Sequence, residues 1–264
     1  MSDFDDCLIR VADALAETAR QETLRCFRSE ALGVDNKSGH GFDPVTAADR
    51  AAEAAMREIL SSERPDDGVL GEEFGPVPGR SGLTWVLDPI DGTRGYLSGT
   101  PTWGVLIAAC NETGPIYGVI DQPYIGERFR GGLGRAEMTG PRGTRALHCR
   151  APRPLDEAVL YTTFPEIGTR AEAQAFQALS SHVRLTRYGM DCYAYALLAL
   201  GQIDLVVEAG LHAYDICAPI AVVTAAGGIV TDWQGNPAHH GGQVIAAANT
   251  EIHARALAFL NATG

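Results

Sequence analysis

The sequence lacks a Cys-x-x-Cys pair, a long apolar run, a basic leader and an excess of positive charge, and each absence closes off a class of function. The six cysteines (Cys7, Cys26, Cys110, Cys149, Cys192 and Cys217) keep no zinc-like interval from histidine. They therefore read as reduced core residues of a cytoplasmic protein. No stretch approaches the ~20 apolar residues of a membrane span, and the acidic start Met1-Ser-Asp-Phe-Asp-Asp6 is neither a secretory nor a transit signal. Twenty-one Lys and Arg face 33 Asp and Glu, a net charge of −12. That balance argues against nucleic acid and anionic membrane as partners, since both attract basic proteins. A small phosphorylated ligand would be repelled as well, unless a cation mediates. There is no internal repeat and no low-complexity segment.

What is present is an ordinary globular composition, 45% hydrophobic and 20% charged, over 264 residues. That length buries a large core in one domain or two. Residues 4–30 place Phe4, Leu8, Val11, Leu15 and Leu24 in one helical stripe. A small, polar, flexible stretch at 33–43 interrupts it, and an Ala-rich amphipathic helix follows over 44–60. Short β-like runs at 68–70, 83–87, 103–110, 116–120 and 127–130, parted by Gly, Pro and Asn, have the rhythm of an antiparallel sheet. Beyond residue 140 the texture changes. Strands at 159–161, 183–188, 204–208, 228–232 and 244–248 alternate with helices at 169–181, 191–200, 215–226 and 250–260, which predicts a mostly parallel sheet. The expected division is an α+β unit over 1–140 and an α/β unit over 141–264.

The chain is organised around Trp85-Val-Leu-Asp-Pro-Ile-Asp-Gly-Thr93. Residues 83–87 suit a strand covered on both faces, and Pro89 biases Asp88 toward extended backbone, so the strand should end there. In a continuous strand Asp88 and Asp91 would point to opposite faces. A turn between them lets both carboxylates aim at one point, with the N–H groups of Gly92 and Thr93 just beyond. Convergent acids and free donors suit a divalent cation carrying a phosphate. Alone, Asp91-Gly92 reads first as an ordinary hairpin turn with incidental acids. Gly71-Glu-Glu73 alone is a solvated acidic loop, Asp215 a helix N-cap, and Thr46-Ala-Ala-Asp49 a capping box.

Together these stretches are specific. Gly71-Glu-Glu73, Asp88-Pro-Ile-Asp-Gly-Thr93 and a Tyr214-Asp215 pair opening an Ala-rich helix that ends in Ala-Gly-Gly228 resemble the inositol-monophosphatase superfamily of metal-dependent phosphomonoesterases. The resemblance runs from about residue 35 to 228. Tyr214 stands where the family usually has Trp, a change that bears on packing more than on ligation. The resemblance implies a mixed α+β fold, a layered αβαβα sandwich with an N-terminal antiparallel sheet and a C-terminal mostly parallel one. It implies one Mg²⁺ on Glu72, Asp88 and the carbonyl of Ile90, and a second on Asp88, Asp91 and Asp215, with two or three ions per site and Li⁺ as inhibitor. Four carboxylates within ~5 Å would otherwise repel by about 3 kcal/mol per pair at an effective dielectric of ~20. It implies two-metal hydrolysis of a phosphate monoester, with Thr93 and Asp49 orienting the attacking water and Glu72 counted with them as catalytic. Gly92 and Thr93 would hold the phosphate, Lys37 would lie near the site or be a solvated loop lysine, and the protein would be a homodimer.

The leaving group is addressed by Arg187-Tyr-Gly-Met-Asp-Cys-Tyr-Ala-Tyr195, where inositol phosphatases usually carry small residues. Asp191 brings a carboxylate, or merely caps the next helix, while Tyr193 and Tyr195 bring rings. With Glu208, where the family keeps a substrate-touching glutamate, this pattern looks most like the histidinol-phosphate phosphatases. L-histidinol phosphate therefore ranks first and inositol 1-phosphate second, with a catalytically silent metal- or phosphate-binding regulator as the reading from another class. Gly131-Gly-Leu-Gly134 is expected to be a hairpin, His239-His240 an exposed loop pair, and Trp103 and Trp233 core or interface aromatics.

Overall fold

A computed structural model describes residues 2–29, 34–36 and 44–262. The first helix, α1 (Asp3–Cys26), starts where the Ser2 hydroxyl accepts the N–H of Asp5 while the Asp5 carboxylate accepts the N–H of Ser2. Leu8, Val11 and Leu15 of its stripe are fully buried, whereas Phe4 and Leu24 at its ends are exposed. Strands β1 (Val34–Asn36) and β2 (Pro44–Thr46) pair antiparallel; the rest of the polar stretch expected at 33–43 lies outside the described residues. Thr46 then caps α2 (Ala47–Glu63).

The larger sheet has eight strands among the described residues: β3 (Gly68–Gly71), β4 (Gly75–Val77), β5 (Thr84–Asp91), β6 (Gly104–Asn111), β7 (Gly114–Gln122), β8 (Glu127–Gly132), β9 (Arg135–Gly140) and β10 (Gly143–Ala146). Their order is β10-β9-β8-β7-β6-β5-β3-β4, antiparallel except where β3 runs parallel to β5. A six-residue helix, α3 (Thr93–Ser98), leaves the end of β5. Residues 132–135 close the β8–β9 hairpin, so the glycine run at 131–134 is a hairpin as expected. The hairpin of β9 and β10 carries this sheet past residue 140, and the change of sheet falls between Ala146 and Val159.

The second half adds β11 (Val159–Thr162), α4 (Arg170–Ser180), β12 (Leu185–Tyr188), α5 (Tyr193–Ala199), β13 (Leu205–Leu211), α6 (Ala213–Ala225), β14 (Ile229–Thr231), β15 (Gly242–Ala247) and α7 (Thr250–Leu260). Its five strands lie in the order β12-β11-β13-β15-β14. The pairs of β11 with β12 and β13 are parallel, and those of β15 with β13 and β14 are antiparallel. The sheet is therefore mixed, half parallel rather than mostly so, because β14 and β15 follow one another without a helical crossover between them.

Three apolar clusters stack these elements as αβαβα. Leu8, Leu15, Met56 and Leu60 of α1 and α2 pack on Trp85, Leu87 and Ile107 of the large sheet. The other face of that sheet, with Val86, Leu106 and Phe129, meets Ile216 and Val222 of α6 and Ala196 of α5. Phe176, Leu179 and Ile252 of α4 and α7 cover the far face of the five-stranded sheet. Trp103 and Trp233 are both buried. Among the described residues no helix is long and apolar enough to cross a membrane.

The central helix α6 sits almost on the backbone of the large sheet. A Cβ added at Gly131 would run into the Cα of Val222 and the carbonyl of Ala221. Gly131→Ala is therefore expected to cost about 1–3 kcal/mol through overpacking, read as a lowered melting temperature. An unchanged melt would show that the helix has room to retreat.

Candidate active site

The acids are gathered by a fault in strand β5. Asp88 pairs with Leu106 and Asp91 with Gly104, three steps on one strand against two on its neighbour. One extra residue is a β-bulge, and it reverses the alternation so that two side chains an odd number apart can share a face. The strand thus continues to Asp91 instead of ending at Asp88, and a bulge does what a turn was expected to do. Asp88 Oδ1 accepts the N–H of Ile90 at 3.0 Å across the bulge. Gly92 follows with φ 88°, in the left-handed region, and opens α3. Tyr96 of α3 packs edge-on at 4.8 Å from Trp103 and donates its hydroxyl to the Thr23 carbonyl at 2.7 Å, tying this corner to α1.

Glu72 leaves β3 beside β5, its N–H donating to the Leu87 carbonyl at 3.2 Å. Parallel pairing of the two strands puts it next to Asp88, close enough for its charge to raise the Asp88 pKa. Asp215 arrives on the first turn of α6, three residues past the N-cap rather than at it, and its Oδ2 accepts the N–H of His212 at 2.6 Å. Oxygens of Asp88, Asp91 and Asp215 lie within 4.8 Å of one another. Burial pushes Asp88 well up from the ordinary carboxylate value, reinforced by the charges of Glu72, Asp91 and Asp215. Asp91 is raised likewise by burial and by Asp191 and Asp215, and Asp215 is pushed up to about 6 by burial first. Oxygen donors that repel one another, buried at Asp88 and half-buried at Asp91 and Asp215, need protons or a hard cation between them. Mg²⁺ fits that donor set.

One cavity of about 370 Å³ collects Glu72, Asp88, Ile90, Asp91, Gly92, Thr93, Asp191, Glu208 and Asp215. Thr93 Oγ1 donates to the Ile90 carbonyl at 3.2 Å. Asp49 does not line the cavity and stands behind it. Its neighbour Ala48 packs with Ile90 and Trp103, which seats the head of α2 against the bulge. Asp49 Oδ2 accepts both the N–H and the hydroxyl of Thr46 (2.8 and 2.5 Å), and the Thr46 hydroxyl accepts the N–H of Ala48 at 3.1 Å. Its Oδ1 is buried without a hydrogen-bond partner among the described residues. Burial raises its pKa to about 6, Thr46 pulls it down, and the charge of Glu72 adds to the rise. Lys37 lies outside the described residues.

The turn before α5, α5 itself and β13 complete the cavity wall. Asp191 is not a helix cap: Cys192 precedes the first turn, and Asp191 itself has φ 45°. Its carboxylate lies over Gly92, where an added Cβ would come to 2.7 Å from its Cγ. Burial pushes Asp191 up to about 6, while a hydrogen bond from Thr102 and the charge of Arg94 act the other way. The N–H of Cys192 donates to Asp91 Oδ2 at 2.5 Å, so one turn serves both acids. Glu208 accepts from Thr163 N–H and Oγ1 (2.8 and 2.9 Å) and from Thr162 Oγ1 (3.2 Å), and burial raises it to about 7. Tyr195 lines the cavity, its buried hydroxyl unpartnered among the described residues. Tyr193 does not. It turns to the large sheet, donating to Glu127 at 2.6 Å, with its ring edge-on to Phe129.

Sequence reasoning passed over Arg94 and Phe164, which stack at 4.8 Å, and His212, all on the cavity wall. Only the place of Arg94 directly after Thr93 could have marked one of them. Tyr214 lines the cavity too, its ring 5.0 Å from that of His212.

The model of the inositol monophosphatase family matches residues 5–262. The chain is 37% identical to the bifunctional phosphatase IMPL2 of Arabidopsis thaliana, over 96% of this chain and 74% of that protein. It is 37% identical to a histidinol-phosphatase of Streptomyces coelicolor over 99% of each. Its fold matches the solved inositol monophosphatase of Zymomonas mobilis with a TM-score of 0.86 and 40% identity, over 98% of this chain and 99% of that one. A family match over nearly the whole length and a superposable fold place the chain among phosphatases: it belongs to the inositol monophosphatase family.

Proposed function

We propose that this chain is a Mg²⁺-dependent phosphomonoesterase acting on L-histidinol phosphate, with inositol 1-phosphate as the second candidate. The observation that carries the choice is Asp191, a half-buried carboxylate on the cavity wall beyond the metal-type acids, with the buried Glu208 on the same wall. Two added negative groups favour an ammonium or imidazolium leaving group over a neutral polyol. The Streptomyces coelicolor relative named a histidinol-phosphatase supports the same order.

Glu72, Asp88, the Ile90 carbonyl, Asp91 and Asp215 would hold two Mg²⁺, with room in the reading for a third and for inhibition by Li⁺. Bound there, Mg²⁺ supplies Lewis acidity to a phosphoryl oxygen and to an attacking water. The chain's own groups do the rest. The N–H groups of Gly92 and Thr93 receive phosphate oxygens, as donors aimed where charge develops. The Thr93 hydroxyl, on the cavity wall, orients the water and relays its proton to Asp49 behind it, whose pKa is about 6. Lys37, the chain's single lysine, adds charge near the phosphate. Unpaired cysteines fit a reducing cytoplasm.

The test is phosphate release from both esters at matched Mg²⁺, in the wild type and in Asp191→Ala. Histidinol phosphate should be preferred. The variant should lose about tenfold or more of kcat/KM on it, the weight of one charged hydrogen bond, with little change on inositol 1-phosphate. A wild type that prefers the inositol ester, or a variant equally impaired on both, refutes the assignment.

A further inference from the structure

Glu53 lies on α2, one turn beyond Asp49, with its side chain fully buried and outside the cavity. We propose that it is a positioning residue for Glu72. The proposal rests on reading Glu72 as a metal ligand. Gly71 and Gly75 pair across the β3–β4 hairpin, leaving Glu72, Glu73 and Phe74 as a three-residue loop. Gly75, with φ 68°, supplies the left-handed residue such loops need. An acid at the first place of a hairpin tip would ordinarily swing with the loop.

Here the loop is grasped from behind. Glu53 Oε2 accepts the N–H of Glu73 at 2.7 Å, and Oε1 accepts the N–H of Phe74 at 3.2 Å and Arg57 Nε at 2.8 Å. Arg57 in turn donates to the Gly75 carbonyl at 2.5 Å and lies 5.9 Å from the centre of the Phe74 ring. Any Cβ at Gly71 would overlap the Glu53 carboxylate, so the glycine of the Gly-Glu-Glu stretch is the seat into which this acid fits. With its own N–H tied to Leu87, Glu72 is held between two fixed points. Only a carboxylate accepts from both loop N–H groups and the guanidinium at once, because the amide of Gln has a single acceptor oxygen. Groups that orient a metal ligand without touching the metal typically govern affinity by about 10–100-fold.

The experiment is calorimetric titration of the full-length, metal-stripped protein with Mg²⁺, alongside melting curves and steady-state kinetics, for wild type, Glu53→Gln and Glu53→Asp. Both variants should bind Mg²⁺ about 10–100-fold more weakly. The KM for the phosphate ester should be unchanged, and kcat should recover to within about threefold at saturating Mg²⁺, since the reacting groups are intact. A purely structural strut would lower the metal-free melting temperature and leave Mg²⁺ affinity alone, and that result overturns the proposal. So does failure of both variants to fold. If only one folds, its Mg²⁺ affinity decides. If the wild type itself binds no Mg²⁺, the metal reading of Glu72 fails instead, which is a separate outcome.

Discussion

Asp88→Asn should abolish Mg²⁺-dependent phosphate release, lowering kcat/KM by about 10³-fold or more, and yet raise the melting temperature of the metal-free protein at neutral pH. The first effect follows from the place of Asp88 among the acids, beside Glu72 and with a carboxylate oxygen within 4.8 Å of those of Asp91 and Asp215. Losing a central charge from a two-metal site removes several kcal/mol of transition-state stabilisation, about a factor of ten for each 1.4 kcal/mol. The second follows from the sign of its pKa shift. Burial and three neighbouring acids raise Asp88 in the folded protein well above the ordinary 3.8. As pH climbs past 3.8 the unfolded chain gives up this proton while the native one keeps it. Stability therefore falls from that pH upward until the native group also ionises. Asn carries no such penalty. Phosphate-release kinetics and melts with and without Mg²⁺ measure both effects. The wild type should gain melting temperature on adding Mg²⁺ and the variant should gain little. A variant that keeps its Mg²⁺-induced shift, or loses metal-free stability, would remove Asp88 from the centre of the site.

The next largest effect is expected at Asp49. Asp49→Asn should cut kcat by about 10²-fold or more while leaving the fold intact, the usual weight of a general base. Asn keeps an oxygen for the Thr46 N–H and so preserves the helix start. In the wild type, activity should fall as pH drops through about 6, because a protonated Asp49 cannot accept the water's proton. The variant's residual activity should lack that limb. Thr46→Ala separates capping from catalysis. It should cost about 1 kcal/mol of stability with a modest loss of rate. It also removes a hydrogen bond that pulls the Asp49 pKa down, so the acid limb should move above its wild-type position. Melting curves and pH–rate profiles of the two variants check this. If they behave alike, Asp49 is a cap and nothing more.

Much of this was readable in the linear chain. The buried stripe of α1, the capped start of α2 and the strand leading into Asp88 follow from periodicity and from short-range sterics around Pro, Gly and Thr. Those forces act within a few residues, so a short window contains them. Tyr193 and Tyr195 show the limit. Both were expected at the substrate, but two positions apart on a helix they point about 200° from each other. Which one meets the cavity depends on which sheet α5 leans against, and only Tyr195 does.

By itself the sequence determined that the protein is acidic overall, that Asp88 and Asp91 stand at the end of a buried strand, and that a phosphate could be held there only with cations between. Tertiary structure alone decided the rest. A bulge set by pairing with β6 turned Asp88 and Asp91 to one side, parallel pairing with β3 brought Glu72 alongside, and α6, pressed onto glycines of the large sheet, delivered Asp215. Glu53 gripping a loop some twenty residues away, and Asp191 lying over Gly92, belong to the same category. Register and close approach between distant segments are settled by packing the whole core at once, and no stretch of chain shorter than that core holds the information.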